Sequence, residues 1–207
     1  MKELLNRYPM LDSCKEDILK AQELFIDCYK NGGKILLCGN GGSCADCDHI
    51  VGELMKGFLK KRSLSKETKE KMISNCSQIE ESTLCKLQSG LPAIALPSMT
   101  ALNSAFCNDV NADLVYAQSL MALVKDGDVL IAISTSGNSK NVFNAVTVAK
   151  ALGITVVSLT GEGGGKLKTL SDVCIRVPET ETFKVQELHL PVYHYLCAAV
   201  EDFFFDK

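Results

Sequence analysis

Five short apolar runs restrict this 207-residue chain more than any other feature. Ile35 to Cys38, Ala93 to Leu96, Val129 to Ile133 and Thr155 to Leu159 are compact, and Val173 to Val177 is a weaker fifth. Each is apolar on both of its faces and too brief for a buried helix, the pattern of strands in the middle of a parallel sheet. Segments with helical spacing separate most of them. Right-handed crossovers then put helices on both faces of the sheet. The fold class expected is α/β, a three-layer doubly wound sandwich around a mainly parallel five-stranded sheet, and the length fits a single domain over 1–207.

Two regions flank this core. Residues 15–30 carry Ile18, Ala21, Leu24, Phe25, Cys28 and Tyr29 at helical spacing, and Asn31-Gly32-Gly33 ends that helix. Residues 59–90 form a polar stretch rich in Lys, Glu and Ser, with weak helical periodicity through Met72, Ile73, Ile79 and Leu84. It reads as a helical insertion. The run Lys60-Lys61-Arg62 inside it is expected on a solvated face, where it could also attract an anion.

Ligands of such sheets bind at the carboxyl ends of the strands. After the first run comes Gly39-Asn40-Gly41-Gly42-Ser43, a glycine turn opening a helix, where backbone N–H groups and the helix dipole favour an anion. Its spacing matches neither a Walker loop nor a dinucleotide fingerprint, so no nucleotide cofactor is expected. After Val129 to Ile133 comes Ser134-Thr135-Ser136-Gly137-Asn138-Ser139. One hydroxyl suffices to cap a helix, and four point to phosphate held by neutral donors. The third turn, Thr160-Gly161-Glu162-Gly163-Gly164-Gly165, is poor in hydroxyls and reads as structural.

Of the three histidines, His49 precedes Glu53 by four residues, one helical turn, so both can share a metal or a substrate. His189 and His194 lie in the apolar helix KVQELHLPVYHYLCAAVE. His189 is read as structural and His194, near Gln186 and Glu187, as functional. Pro191 interrupts the hydrogen-bond ladder of that helix. Gln186 and His194 are separated by about 12 Å of helical rise, so one metal would need both to reach, or a second subunit to supply one.

A net charge of −3 argues against a nucleic-acid partner. No run reaches transmembrane length, and MKELLNRYPMLDSCKED holds no apolar signal segment. No membrane association is therefore expected. The ten cysteines are taken as reduced, packed as small hydrophobes in a cytoplasmic protein. Cys44 and Cys47 form a single C-x-x-C that lies inside the helix start and has no second pair to complete a zinc site.

The segments CGNGGSCADCDHIVGEL, AFCNDV, ISTSGNSKNV, LTGEGGGKL and VQELHLPVYH together resemble the SIS-domain family, and within it the phosphoheptose isomerases. The resemblance spans nearly the whole chain outside 59–90. It implies a phosphorylated sugar as substrate, sedoheptulose 7-phosphate exchanging with D-glycero-D-manno-heptose 7-phosphate through an enediol. It also implies substrate binding by Asn40, Gly41, Gly42, Ser43, Asp109, Ser134, Thr135, Ser136, Ser139 and Gln186. Zinc would be held by His49, Glu53, Gln186 and His194, with Glu53 and His194 as the acid/base pair. Gly57, or its neighbour Lys56, falls where some heptose enzymes carry a substrate-binding arginine. The alternative is a non-catalytic SIS module that binds a sugar phosphate or a replication initiator, which has no need of both Glu53 and His194.

A homo-oligomer is expected, a tetramer in preference to a dimer, with residues 1–31 as its helical assembly segment. The chain end Phe203-Phe204-Phe205 supports it, since aromatic rings are costly to leave in water.

Overall fold

The computed structural model describes residues 1–205. Five strands, β1 (Ile35–Gly39), β2 (Ala93–Ala95), β3 (Val129–Ile133), β4 (Thr155–Thr160) and β5 (Val173–Arg176), form one sheet in the order β2-β1-β3-β4-β5. Every pairing is parallel, with Ile35 opposite both Ala93 and Val129. The five apolar runs are thus the five strands, to within a residue or two at their ends.

Alternation along each strand builds two cores. Ile35, Leu37, Ile131, Ile133, Val157 and Leu159 point to one face. They meet the helices α2 (Lys15–Lys30), α3 (Gly42–Met55) and α9 (Thr182–Phe205), preceded by the short α1 (Lys2–Arg7). Leu36, Cys38, Leu130, Ala132 and Val156 point to the other. There the insertion helices α4 (Lys66–Asn75) and α5 (Glu81–Lys86) take no part; the cover is α7 (Val115–Leu123) and α8 (Lys140–Ala151), with α6 (Thr100–Phe106) ahead of them. This is the expected three-layer sandwich. The strand order reverses between β1 and β3, so the loops after these two strands flank the switch point.

The segment 59–90 is closed at its root. Ser63 and Gln88 pair as an antiparallel bridge, Ser89 N–H donates to Arg62 O, and Gln88 Oε1 accepts from Gly57 N–H at 2.7 Å. No residue of α4 is buried, and Leu84 of α5 is the anchor to the body.

Arg62 overturns one expectation. Far from lying on a solvated face, it is among the largest fully buried side chains. Its Nε donates to Glu201 Oε1 at 2.7 Å, and its two terminal nitrogens donate to Leu54 O and Glu53 O at the end of α3. Glu201, itself fully buried, also accepts the backbone N–H groups of Phe58, Leu59 and Lys60. Burial alone would raise the Glu201 pKa; the Phe58 and Leu59 N–H groups and Arg62 outweigh it and bring the pKa down. The terminal phenylalanines divide. Phe204 stacks edge-on against Tyr29 and Phe205 lies under the Arg62 guanidinium, whereas Phe203 is half exposed beside Lys30.

Removing one partner of a buried ion pair strands the other charge, at a cost of about 3–5 kcal/mol. Arg62→Ala is therefore expected to lower the unfolding free energy by about that much in urea titration, while Lys66→Ala, which breaks an exposed pair with Glu70, stays within about 0.5 kcal/mol.

Candidate active site

The two loops at the switch point are tied together. Asn40 and Asn141 exchange a reciprocal pair of amide hydrogen bonds at 2.8 and 2.9 Å. Tyr116 Oη donates toward Gly39 O and Asn40 Oδ1 from behind. Gly41 turns the chain at φ +56°, and Gly42 and Ser43 open the fourteen-residue α3 beside the switch point, with Ser43 N–H and Cys44 N–H donating back to Asn40 O and Gly41 O. In the second loop Ser134 and Ser139 share a 3.0 Å hydrogen bond, with Ser134 and Ser43 buried. Ser136 is exposed and Thr135 partly so, and Ser136 Oγ accepts from Asn138 N–H.

The third glycine turn carries the structural role expected of it. Gly161 N–H donates to Thr135 O, Leu167 N–H to Gly137 O and Lys166 N–H to Asn138 Oδ1. Gly137 has φ +65° and Gly165 φ +51°, and a Cβ on either would run into the other loop's backbone at 2.1 and 2.4 Å. Only glycines allow the two loops to approach this closely.

A second constellation lies down the same helix. α3 and α9 both leave the carboxyl end of the sheet and run side by side, so α9 follows α3 residue for residue. Gln186 packs over Gly42, Tyr193 reaches Asp46 and His49, and Glu201 closes the far end beyond Glu53. Midway, His49 Nε2 lies 3.2 Å from Glu53 Oε1 and 3.4 Å from His194 Nε2, and one donor atom from each residue falls within 4.8 Å of the others. Phe58 packs its ring 5.6 Å from that of His194. Burial, then the neighbouring His49, lower the His194 pKa, so the ring is neutral near pH 7. Glu53 is largely buried, and its Oε2 has no hydrogen-bond partner but lies 3.8 Å from the exposed Lys56 ammonium.

Of the residues expected here, His49, Glu53 and His194 come together within one chain. Gln186 does not join them. Its amide sits over Gly42, seven residues and about 10 Å of helix above His49. Asp109 lies exposed on a π-helical turn, Cys107–Asn111, its carboxylate accepting from Asn108. Cys47 of the C-x-x-C is buried, and desolvation pushes its thiol pKa well up, opposite to a redox-active thiolate. Four contributors were not anticipated: Asp46, Tyr193, Asn141 and Tyr116. For Asp46 a signal existed, because it stands one turn before His49 on the same face of α3.

Beside His194 opens a cavity of about 810 Å³ between α1 and α9. Arg7, Tyr8, Gln22, Leu190, Tyr195 and Asp202 are among its lining residues.

Comparison with known proteins agrees with this architecture. SIS-domain family models match residues 2–84 and 98–199, so most of the 59–90 segment lies inside a matched stretch and 85–97, with β2, lies outside. The chain is similar to a phosphoheptose isomerase of Rhodospirillum rubrum, 38% identical over 192 residues, covering 93% of this chain and 88% of the relative. It is also similar to a phosphoheptose isomerase of Helicobacter pylori, 37% identical over 206 residues, covering 100% and 93%. Among solved structures, the phosphoheptose isomerase of Neisseria gonorrhoeae superposes with a TM-score of 0.76 at 33% identity, covering 97% of this chain and 94% of that one.

His189 stands apart from the site, buried beside the Thr160 backbone with neither ring nitrogen making a well-formed hydrogen bond. Desolvation lowers its pKa from 6.5 to about 4. The unfolded imidazole then takes up a proton between those values while the folded one does not, so stability falls as pH drops from about 6.5 to about 4. Each pH unit in that window removes up to about 1.4 kcal/mol. Urea titrations across it should show this component in the parent and lose it in His189→Leu.

Proposed function

We propose that this chain, which belongs to the phosphoheptose isomerases of the SIS-domain family, interconverts sedoheptulose 7-phosphate and D-glycero-D-manno-heptose 7-phosphate as an aldose-ketose isomerase. The observation that carries the reading is the convergence of His49, Glu53 and His194 within one chain. A binding module for a sugar phosphate needs the hydroxyl loops and has no use for a carboxylate and two imidazoles aimed at one point.

The phosphate is held at the switch point by the α3 N-terminus and by Ser43, Thr135, Ser136 and Ser139, donors that hold an anion without adding net charge. Isomerisation from the ketose removes a proton from C1 while the C2 oxygen gains one, giving an enediol. Proton return to C2, with loss of the O1 proton, gives the aldose. Glu53 Oε2, which accepts no hydrogen bond and lies 3.8 Å from Lys56 Nζ, is the base at carbon. Neutral His194 can pass a proton between the two oxygens.

The trio also fits zinc. One donor atom from each residue lies within 4.8 Å of the other two, and two imidazoles with a carboxylate are a donor set common in catalytic zinc sites. Zinc held by His49, Glu53 and His194 would supply polarisation of a carbonyl oxygen.

Ser43 and Glu53 are ten residues apart on α3, about 15 Å along its axis. One chain's phosphate loops and its own trio are thus poorly placed to share one substrate. A neighbouring copy resolves this by presenting its loops to the trio, and the cavity bounded by α1 beside His194 is where a copy would sit. On this reading the protein works as a homo-oligomer, with residues 1–31 in its contacts and a tetramer favoured over a dimer. No helix of the described residues is long and apolar enough to cross a membrane.

Glu53→Gln is expected to abolish isomerisation, read as proton exchange from deuterated water over C5 to C7 ketose phosphates, while phosphosugar affinity by calorimetry stays within about threefold. Undiminished turnover removes Glu53 from the mechanism. Mixing inactive Glu53→Gln with inactive Ser136→Glu, whose added charge repels phosphate, should restore part of the activity through hybrid sites. A fully active monomer in sedimentation would overturn the shared site, and failed complementation in a proven oligomer would assign loops and trio to one chain.

A further inference from the structure

β1 and β3 lie side by side, and their last paired residues are Gly39 and Ile133. Beyond that rung the two chains part. α3 packs Cys47, Ile50 and Leu54 on one face of the sheet, and α8 packs Val142, Ala145 and Val146 on the other. The crevice open to a ligand is the gap they leave. Backbone contacts do not set its width: among the described residues, no backbone hydrogen bond joins residues 40–43 to residues 134–141. The hydrogen-bonded link across the gap is the amide pair of Asn40 and Asn141.

That pair is held at both ends. Asn141, the second residue of α8, also accepts the Val142 N–H on its Oδ1 at 2.9 Å, which fixes which way round its amide lies. Asn40 must then turn its oxygen to Asn141 Nδ2 and its nitrogen to Asn141 Oδ1. From behind, the buried Tyr116 of α7 brings its hydroxyl 2.9 Å from Asn40 Oδ1 and 2.8 Å from Gly39 O. Its single proton can go to either acceptor, and both belong to the same loop. Asn40 is left with one N–H to offer a ligand. Its side chain thus does more to join the loops than it can do for a substrate. The clasp lies three residues before Ser43 and two after Ser139, between the two sets of hydroxyls.

We propose that Asn141 and Tyr116 are positioning residues which, acting through Asn40, hold the two loops at the spacing where one phosphate meets donors from both. The inference rests on reading the switch point as the phosphate site. Loops that are tied in advance need no ordering when the anion arrives. Untied loops reach the right spacing only part of the time, and the apparent affinity falls by that fraction.

The test uses the full-length protein, with inorganic phosphate titrated by calorimetry and sedoheptulose 7-phosphate followed by steady-state kinetics, folding being checked by circular dichroism. Asn141→Ala places a good helix former in α8 and should weaken phosphate binding by about tenfold. Tyr116→Phe removes only the hydroxyl and should weaken it by about threefold. KM for sedoheptulose 7-phosphate should rise in step, with kcat changed by less than about threefold. In an Asn40→Ala background, Asn141→Ala should cost little more, because its partner is already gone. Unchanged affinity in folded Asn141→Ala overturns the clasp, as does an equal loss with and without Asn40. So does a fall in kcat at constant KM, which marks fewer folded sites and not looser ones. Should Asn141→Ala fail to fold, Tyr116→Phe decides by the same readings. A parent that binds phosphate but isomerises no ketose phosphate would refute the isomerase and leave the clasp standing, whereas a parent that binds neither ligand would overturn both.

Discussion

The buried pair of Arg62 and Glu201 is the contact on which the geometry of the rest depends. α3 ends at Met55 and the chain then leaves for an insertion of some thirty residues before it returns as β2. One residue of that excursion, Arg62, ties down the end of α3. The guanidinium does so by donating to the Glu53 and Leu54 carbonyls, while its carboxylate partner gathers three successive backbone N–H groups from Phe58 to Lys60. Both charges are out of water and most of their hydrogen-bonding capacity is used, the condition under which a buried pair is tolerated at all. Salt screens such a pair little, so it holds where surface pairs fade.

With that end fixed, the alignment of α3 with α9 follows from contacts at three levels: Gln186 on Gly42, Tyr193 on Asp46 and His49, and Glu201 on the turn beyond Glu53. A one-residue slip between the helices would rotate a side chain by about 100° and separate His194 from His49. Apolar packing alone tolerates such adjustments more readily than directional polar bonds do. The polar contacts thus select one register among several that would bury comparable area.

The strands were legible because burial on two faces leaves a mark that needs no knowledge of partners: Val129 to Ile133 is apolar at every position, and every position is buried. The hydroxyl loop and the pairing of His49 with Glu53 were legible for a related reason, since their chemistry is local in sequence. Arg62 was misread because its meaning lies in a residue 139 positions away, and a basic run looks the same whether its last member faces water or the core. The same limit hid Asn141 and Tyr193, whose partners are 101 and 144 to 147 residues distant. The separation of Gln186 from His194 was foreseen from helical rise alone, because rise is a property of the helix and not of its neighbours.

The two halves of the site obey different physical rules, and their separation along α3 follows from that. Phosphate binding wants backbone N–H groups and neutral hydroxyls at a helix N-terminus, where the dipole is favourable and water can reach the anion before it docks. Proton transfer wants a carboxylate and imidazoles shielded from competing donors, which suits the packed middle of a helix pair better than its exposed end. Placing both at the α3 N-terminus would set the Glu53 charge against the phosphate. Ten residues of helix keep them apart, and the substrate must then be bridged between elements that one sheet edge does not bring together. On the reading proposed above, a fold that separates the charges in this way would leave it to a second copy to bring loops and trio together, and assembly and catalysis would become one requirement.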